Sequence, residues 1–321
     1  MSDRKDTVKR AVHFNNPAYM PLSYTLEYQK SDMIFVPVEK QFEGAEGNDS
    51  EWGFRWERLM TQYAMGNALP IIHSKEDLLR YAPPIPGAPG RFGPFAEKKA
   101  QFGEDRYYVA DLVLSGFTIA SLLRGIDDYL VELYTDREFS ESILDMVFGF
   151  ETALIPLIAA QGFDAVGFAD DWGMQNSTLI SPALFHETFL PRYKKLFAVI
   201  HGFGMDVYFH TCGMVYDFIG MFIEMGVDIL NLGQPSLNGI RRVGEAYAGK
   251  VCFALPVSYQ TTGVRGTREE IFAEVKEMAD FCAQGKAGLI GLVLQRMTML
   301  GATERQSADI TDAFETVFGR R

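Results

Sequence analysis

The sequence predicts an α/β fold, a (β/α)8 TIM barrel with an N-terminal excursion, on three observations. From about residue 106 onward, short apolar runs alternate with longer amphipathic ones, the pattern of parallel strands joined by helical crossovers. About eight strands fit within 321 residues, which favours a closed sheet. Polar, chemistry-bearing residues recur where successive strands end, as they do at one mouth of a barrel. The competing architecture is an open doubly wound sheet. No Gly-x-Gly-x-x-Gly follows a strand, which weakens its dinucleotide-binding version.

The elements follow in order. Met20–Glu27 and Asp32–Val38 are the first two strand candidates. Residues 40–105 are the loosest part, with the polar run Glu43–Ser50 and the turn-rich Pro83–Gly90. They read as a loop-rich insertion on one domain spanning residues 1–321, because the flanking elements share one style. Further strands are expected at Tyr107–Leu114, Ala165–Ala169, Asp206–Cys212, Asp228–Leu232, Val251–Val257 and Leu289–Leu294. Helical patterns lie between them at Tyr129–Tyr134, Glu141–Ala160, Pro182–His201, Val215–Met225 and Arg268–Gln284. Ser181 can cap and Pro182 suits a first turn; Gly202 and Gly204 suit the matching stop.

The chain is 47% hydrophobic, ample for a large core, and carries a net charge of -12. Such a surface disfavours phosphate backbones and anionic membranes, so neither nucleic acid nor membrane is expected as a partner. No apolar run is read as membrane-spanning. The start Met1–Asp6 shows no signal-peptide pattern. The three cysteines at 212, 252 and 282 cannot all pair, and a reducing cytoplasm is the expected location.

The strand ends hold the candidates. Val207–Gly213 delivers His210 and Cys212 two residues apart. On a strand they point the same way, and both are good zinc ligands. The bland alternative is a buried histidine beside a core cysteine. The Ala165–Ala169 strand runs into Asp170 and Asp171, candidate catalytic carboxylates for acid–base work. Adjacent strand residues face opposite sides, so one of the two enters the pocket while the other caps a turn. Trp172, Gln175, Asn231, Gln234 and Tyr259 at strand ends are candidate substrate contacts. Trp52, Phe54 and Trp56 join Trp172 as candidate aromatic walls. Arg265 and Arg296 could pair a carboxylate-bearing substrate, with a solvated surface role as the default. Cys252 starts its strand at the wrong end, Cys282 sits in a helical pattern, and His13, His73, His186 and His201 fall away from strand ends.

Taken in order, Asp170–Gln175, Ile180-Ser181-Pro182, Pro191–Lys194, His210–Gly213, Gly226–Asn231 and Gln234-Pro235 resemble the uroporphyrinogen decarboxylase superfamily, and more narrowly its corrinoid-dependent methyltransferase branch. Glu51–Trp56 is similar to that branch's Asp-Glu-Trp-Gly segment, with Ser50 where the aspartate would stand. The resemblance covers about residues 106–305. It implies a (β/α)8 barrel, a pocket at the strand C-termini, and a homodimer. It implies methyl transfer between a corrinoid cobalt and a thiol, amine, methyl ether or folate, with zinc held by the His-x-Cys pair and a distant cysteine. Leu294-Gln295-Arg296-Met297, where that cysteine would fall, has none; a carboxylate, a water or Gln295 would then complete the shell. The corrinoid is expected on a separate protein, since no Asp-x-His-x-x-Gly segment occurs here.

Porphyrinogen-acting members carry an arginine-rich N-terminal signature. Tyr19–Tyr28 has no arginine, so a polyanionic porphyrinogen would lack its counter-charges. The expected function is therefore methyl transfer from a small methylated substrate. The alternatives are a metal-free decarboxylase or lyase on the same barrel, or a non-catalytic binding protein.

Overall fold

The computed structural model describes residues 3–39, 50–57, 67–295 and 300–320. Its strands are β1 (Leu22–Tyr24), β2 (Met33–Pro37), β3 (Arg55–Glu57), β4 (Asn67–Leu69), β5 (Tyr107–Asp111), β6 (Ala165–Ala169), β7 (Asp206–Thr211), β8 (Ile229–Leu232), β9 (Cys252–Pro256) and β10 (Leu289–Val293). Eight form one parallel sheet in the order β1-β10-β9-β8-β7-β6-β5-β2. The two end strands meet at a seam held largely by side chains. The Leu22 N–H donates to Asp32 Oδ2 at 2.9 Å and Ser23 Oγ to the Met33 carbonyl at 3.0 Å, while the Asp32 N–H donates to the Leu22 carbonyl at 2.8 Å. The sheet thus curls into the expected barrel.

Strand parity sorts the side chains. Met33, Tyr107, Val109, Ala165, Tyr208, Ile229, Cys252, Ala254, Ile290 and Leu292 form one inner cluster; the alternate positions pack outward against the helices. The helix Arg4–Val12 closes the N-terminal end, with Val8 and Val12 in the inner cluster. Asp3 caps this helix, accepting from the Lys5 and Asp6 N–H groups. The barrel interior is therefore sealed at one end and open at the other, where the strands deliver their C-terminal residues.

Several boundaries differ from expectation. β5 stops at Asp111 rather than Leu114, because Val113 adopts φ 64 and the Leu114 N–H turns back to the Leu112 carbonyl at 2.7 Å. That is a γ-turn of the strained kind. The predicted helix Pro182–His201 begins where expected, with Ser181 Oγ accepting from the Leu184 N–H. It then passes through a π-helical turn at Phe185–Phe189 before Leu190–Gly202. The insertion is more ordered than its composition suggests: it carries the β3–β4 hairpin and the helices Lys75–Arg80 and Gly93–Phe102. Arg91 ties it to the barrel. Its buried guanidinium donates to Glu51 at 2.8 and 3.0 Å and to the Val38 and Ile85 carbonyls.

The helix Arg137–Gln161 corrects one expectation. At 25 residues it is long and apolar enough, by length and composition alone, to cross a membrane. Its Leu144, Val147, Leu154, Ile155 and Ile158 are buried in the outer core, where such apolar side chains pack against the barrel.

Candidate functional site

The open mouth gathers Asp171, His210 and Cys212. Their donor atoms lie within 4.8 Å of one another. His210 projects inward two residues beyond Tyr208, as parity requires. Its Nε2 stands 3.4 Å from Cys212 Sγ and 3.7 Å from Asp171 Oδ1.

The loops after β6 and β7 are zipped together, and this brings the acid to the pair. The Trp172 N–H donates to Thr211 Oγ1 at 3.1 Å, the Gly173 N–H to the Cys212 carbonyl at 3.1 Å, and the Cys212 N–H to Asp171 Oδ1 at 2.8 Å. Gly173 and Gly213 sit so close that a methyl group on either would overlap the other's backbone. Gly213 also has φ 82, a conformation natural to glycine.

Neighbouring strands hold the candidate donor atoms in place. Asn231 Nδ2 donates to the Ala254 carbonyl at 2.7 Å, which turns its Oδ1 toward His210 Nδ1 at 2.5 Å. In the neutral ring Nδ1 therefore carries the proton and Nε2 directs its lone pair to the cavity. Tyr259 Oη lies 3.0 Å from Cys212 Sγ. Gln234 Oε1 accepts from the Gly213 N–H at 2.7 Å, fixing the turn beyond the cysteine. Gly233 leaves the needed room. A Cβ there would come within 2.9 Å of Cys212 Sγ, 2.9 Å of Tyr259 Oη and 3.0 Å of His210 Cε1.

The charges are coupled. Burial works to lower the His210 pKa, but the adjacent Cys212, Asp171 and Asn231 outweigh it and hold the imidazole up at about 9. Burial, then Cys212, push the Tyr259 hydroxyl up, so it stays a protonated hydrogen-bonding group.

The donor set suits zinc. Tetrahedral bonds of about 2.3 Å to sulfur and 2.0 Å to nitrogen place those atoms about 3.5 Å apart, close to the 3.4 Å found. A carboxylate supplies a third ligand of an accepted type. Gln295, considered from sequence as a replacement ligand, is used otherwise. Its Oε1 accepts from the Leu26 and Glu27 N–H groups and its Nε2 bonds Glu27.

The two aspartates part company. Asp171 joins the mouth; Asp170 points outward and is wholly buried. Asp170 accepts from the Thr118 N–H at 2.7 Å, from Ser115 Oγ at 3.3 Å and from the Tyr193 hydroxyl. Burial pushes its pKa up to about 7. It anchors the helix layer and shares no cavity with His210.

The aromatic walls expected from sequence are core instead. Trp172 has no exposed surface and packs on Phe117, Phe185 and Phe189; Trp52, Phe54 and Trp56 are likewise buried. Gln175 is exposed on its loop, away from the ligand cluster's hydrogen bonds. Asn231 bonds His210 and Gln234 bonds the Gly213 N–H, and Tyr259 touches the sulfur. Cys252 is buried in the lower barrel interior and Cys282 in the helix layer. Arg265 is exposed; Arg296 and Met297 lie outside the described residues.

Sequence reasoning missed Asp111. By parity with Tyr107 and Val109 it faces the barrel interior, and burial pushes its pKa up. The strand was read three residues too long, through the very position where it ends. Gly233 also escapes the sequence reading; its signal is a glycine two residues beyond the histidine's register partner, Asn231.

These features define a parallel (β/α)8 barrel with a His–Cys–Asp cluster at its C-terminal mouth. A family profile described as uroporphyrinogen decarboxylase (URO-D) matches residues 70–291. The chain belongs to that family. Among solved structures it is similar to a methyltransferase from Methanosarcina mazei, at 14% identity over 98% of each chain with a TM-score of 0.66. It is more distantly similar to an L-ribulose 3-epimerase, at 12% identity over 78% of this chain and 93% of that one, with a TM-score of 0.46. No curated protein matches it at a significant level.

Proposed function

We propose that this protein is a metal-dependent methyltransferase that works with a separate corrinoid protein. The observation that carries this reading is the convergence of the Asp171, His210 and Cys212 donor atoms within 4.8 Å at the barrel mouth. These three residues would hold zinc. When bound there, zinc supplies Lewis acidity, lowering a thiol's pKa or polarising an ether oxygen.

The chain's own residues do the rest. Asn231 fixes the imidazole tautomer through Nδ1, so the neutral ring presents its lone pair at Nε2. Tyr259 holds the cysteine sulfur in place. Asp171 stands at the solvent edge, its side chain 60% exposed, and serves as the third donor. Buried Asp170 has no solvent access, and in this reading it is a structural anchor.

Porphyrinogen decarboxylation is disfavoured by the same electrostatics. The mouth presents Asp111 and Asp171, and Tyr19–Tyr28 contributes no arginine, so a substrate bearing many carboxylates would meet like charge.

The test is direct. Purified protein should hold about one zinc per chain, and a His210→Ala/Cys212→Ala double variant should lose both the metal and methyl transfer with a methylated corrinoid protein. Full activity in that variant would refute the mechanism. A metal-bearing protein that moves no methyl group between any corrinoid and a thiol, amine, ether or folate would refute the assigned reaction.

A further inference from the structure

Below the ligand cluster lies a second set of residues that the metal does not use. Asp111 ends β5 with its side chain directed into the barrel. The Val113 N–H donates to its Oδ1 at 3.0 Å, and no other hydrogen bond engages the carboxylate among the described residues. Its register partner on β6 is Gly167, which keeps the wall beside that oxygen bare: a Cβ there would stand 3.6 Å from Oδ1 and would crowd Val109 Cγ1 at 3.0 Å. One layer deeper, Phe35 and Tyr208 meet edge to face across the interior, ring centroids 4.8 Å apart. Phe35 is only partly buried although it packs on the inner cluster. A ring inside a barrel closed at one end meets solvent through the mouth, so the cavity reaches down to it.

The charge at this place is unbalanced. The Cys212 thiolate and Asp171 together match a divalent ion at the mouth. Asp111 then has no Lys or Arg beside it at the described strand ends, and the His210 imidazole, which otherwise offsets its charge, is engaged as a ligand. A desolvated charge is costly without a counter-charge, and aromatic rings favour a cation that arrives with an apolar coat. The strand is also broken at this residue by the γ-turn at Val113. A β-branched residue there costs about 1–3 kcal/mol, a cost kept while Asp111 is aimed inward.

We propose that Asp111, above the Phe35–Tyr208 floor, is a subsite for a small N-methylated ammonium group. This inference rests on the methyltransferase reading and sharpens it: of the substrate classes open to that chemistry, it selects a cationic methylated amine over a neutral ether or thiol. The floor receives the methyl-bearing head, Asp111 supplies the counter-charge, and one N-methyl group is left toward the ligand cluster above.

Calorimetry with the zinc-loaded and the chelator-treated full-length protein tests this without turnover. The probes are choline, its uncharged carbon isostere 3,3-dimethylbutan-1-ol, and the anion 3,3-dimethylbutanoate. Choline should bind about tenfold or more tighter than the neutral isostere, about 1.4 kcal/mol, and the anion more weakly still. Asp111→Asn keeps the acceptor for the Val113 N–H and should erase the preference. Phe35→Leu should weaken choline several-fold while keeping the preference for charge. Equal binding of choline and its isostere, tighter binding of the anion, no measurable choline binding, or an Asp111→Asn variant with undiminished selectivity each overturns the proposal. Choline selectivity without any methyl transfer would sink the methyltransferase reading and leave the subsite. Methyl transfer with no preference for cations would do the reverse.

Discussion

Gly233→Ala should empty the metal site while leaving the fold nearly intact. The added Cβ would stand 2.9 Å from Cys212 Sγ and 3.0 Å from His210 Cε1. Comfortable contact between such atoms begins near about 3.5–4.0 Å, so the sulfur and the imidazole must each retreat by roughly half an ångström or more. Ligand distances in a working metal site tolerate only about 0.2 Å. Gly233 has no left-handed backbone angle, so alanine adds no backbone strain, and the displaced groups border an open cavity. The expected stability loss is then at the low end of overpacking, about 1 kcal/mol. The loss of zinc affinity should be about 100-fold, the upper range for changes that only reposition ligands. Competition with a chromophoric chelator measures it, and cobalt(II) substitution reports the thiolate bond separately. Gly202→Ala, whose Cβ would meet nothing within 4 Å, is the control. Wild-type zinc affinity in Gly233→Ala would refute the crowding argument and, with it, the placement of the ligands.

Three further outcomes follow from the same structure. His210 is held at about 9 in the free protein, so a proton competes with the metal below that pH; zinc affinity should rise roughly tenfold per pH unit from about pH 6 to 9, and a flat profile would contradict it. Glu151 is buried, accepts from the Gly116 N–H at 2.7 Å, and is pushed well above the usual carboxylate range, mainly by burial. The folded state thus keeps a proton that the unfolded chain releases above about 4.5, and stability falls as pH rises beyond that point. Glu151→Gln should lose this part of the slope in urea titrations, so its stability relative to wild type climbs with pH; a constant difference would count against it. Arg91→Met removes the guanidinium from buried Glu51 and should cost about 3–5 kcal/mol, with faster proteolysis near Pro83–Gly90; a cost under about 1 kcal/mol would show that the insertion is held by other contacts.

The barrel was legible because parallel strands buried on both faces read as short apolar runs and their crossovers as amphipathic helices. The His210–Cys212 pair was legible for a related reason: a period of two is visible in sequence wherever strand geometry persists. The third donor was not: a carboxylate, a water or Gln295 stayed open, and which of the candidate acids Asp170 and Asp171 faces inward depends on where β6 ends. What sequence could not show was whatever depended on a loop's path. The γ-turn at Val113 hides in an apolar stretch that reads as continued strand, and it conceals Asp111. Trp172 looks like a pocket wall beside the acids, yet parity sends it outward to Phe117 and Phe189. Asn231 and Gln234 are polar residues at strand ends, as substrate contacts would be, but their hydrogen bonds go to His210 and to the Gly213 N–H.

The adjacent aspartates show how one residue of register divides scaffold from chemistry. Asp170 continues the outward parity of Val166 and Phe168, both outer-core residues, and reaches Ser115, Thr118 and Tyr193, which belong to helices on the outside. Asp171 takes the inward parity, and its Oδ1 receives the Cys212 N–H across the zipped loops. The outer acid fixes the strand end against the helix layer. The inner acid inherits that fixed position and stands 3.7 Å from His210 Nε2. Because a one-residue slip would exchange the two environments, an insertion or deletion between β6 and Asp170 should abolish zinc binding, even though both carboxylates and both β7 ligands remain in the chain. Retention of zinc in such a variant would show that the cluster does not depend on the register of β6.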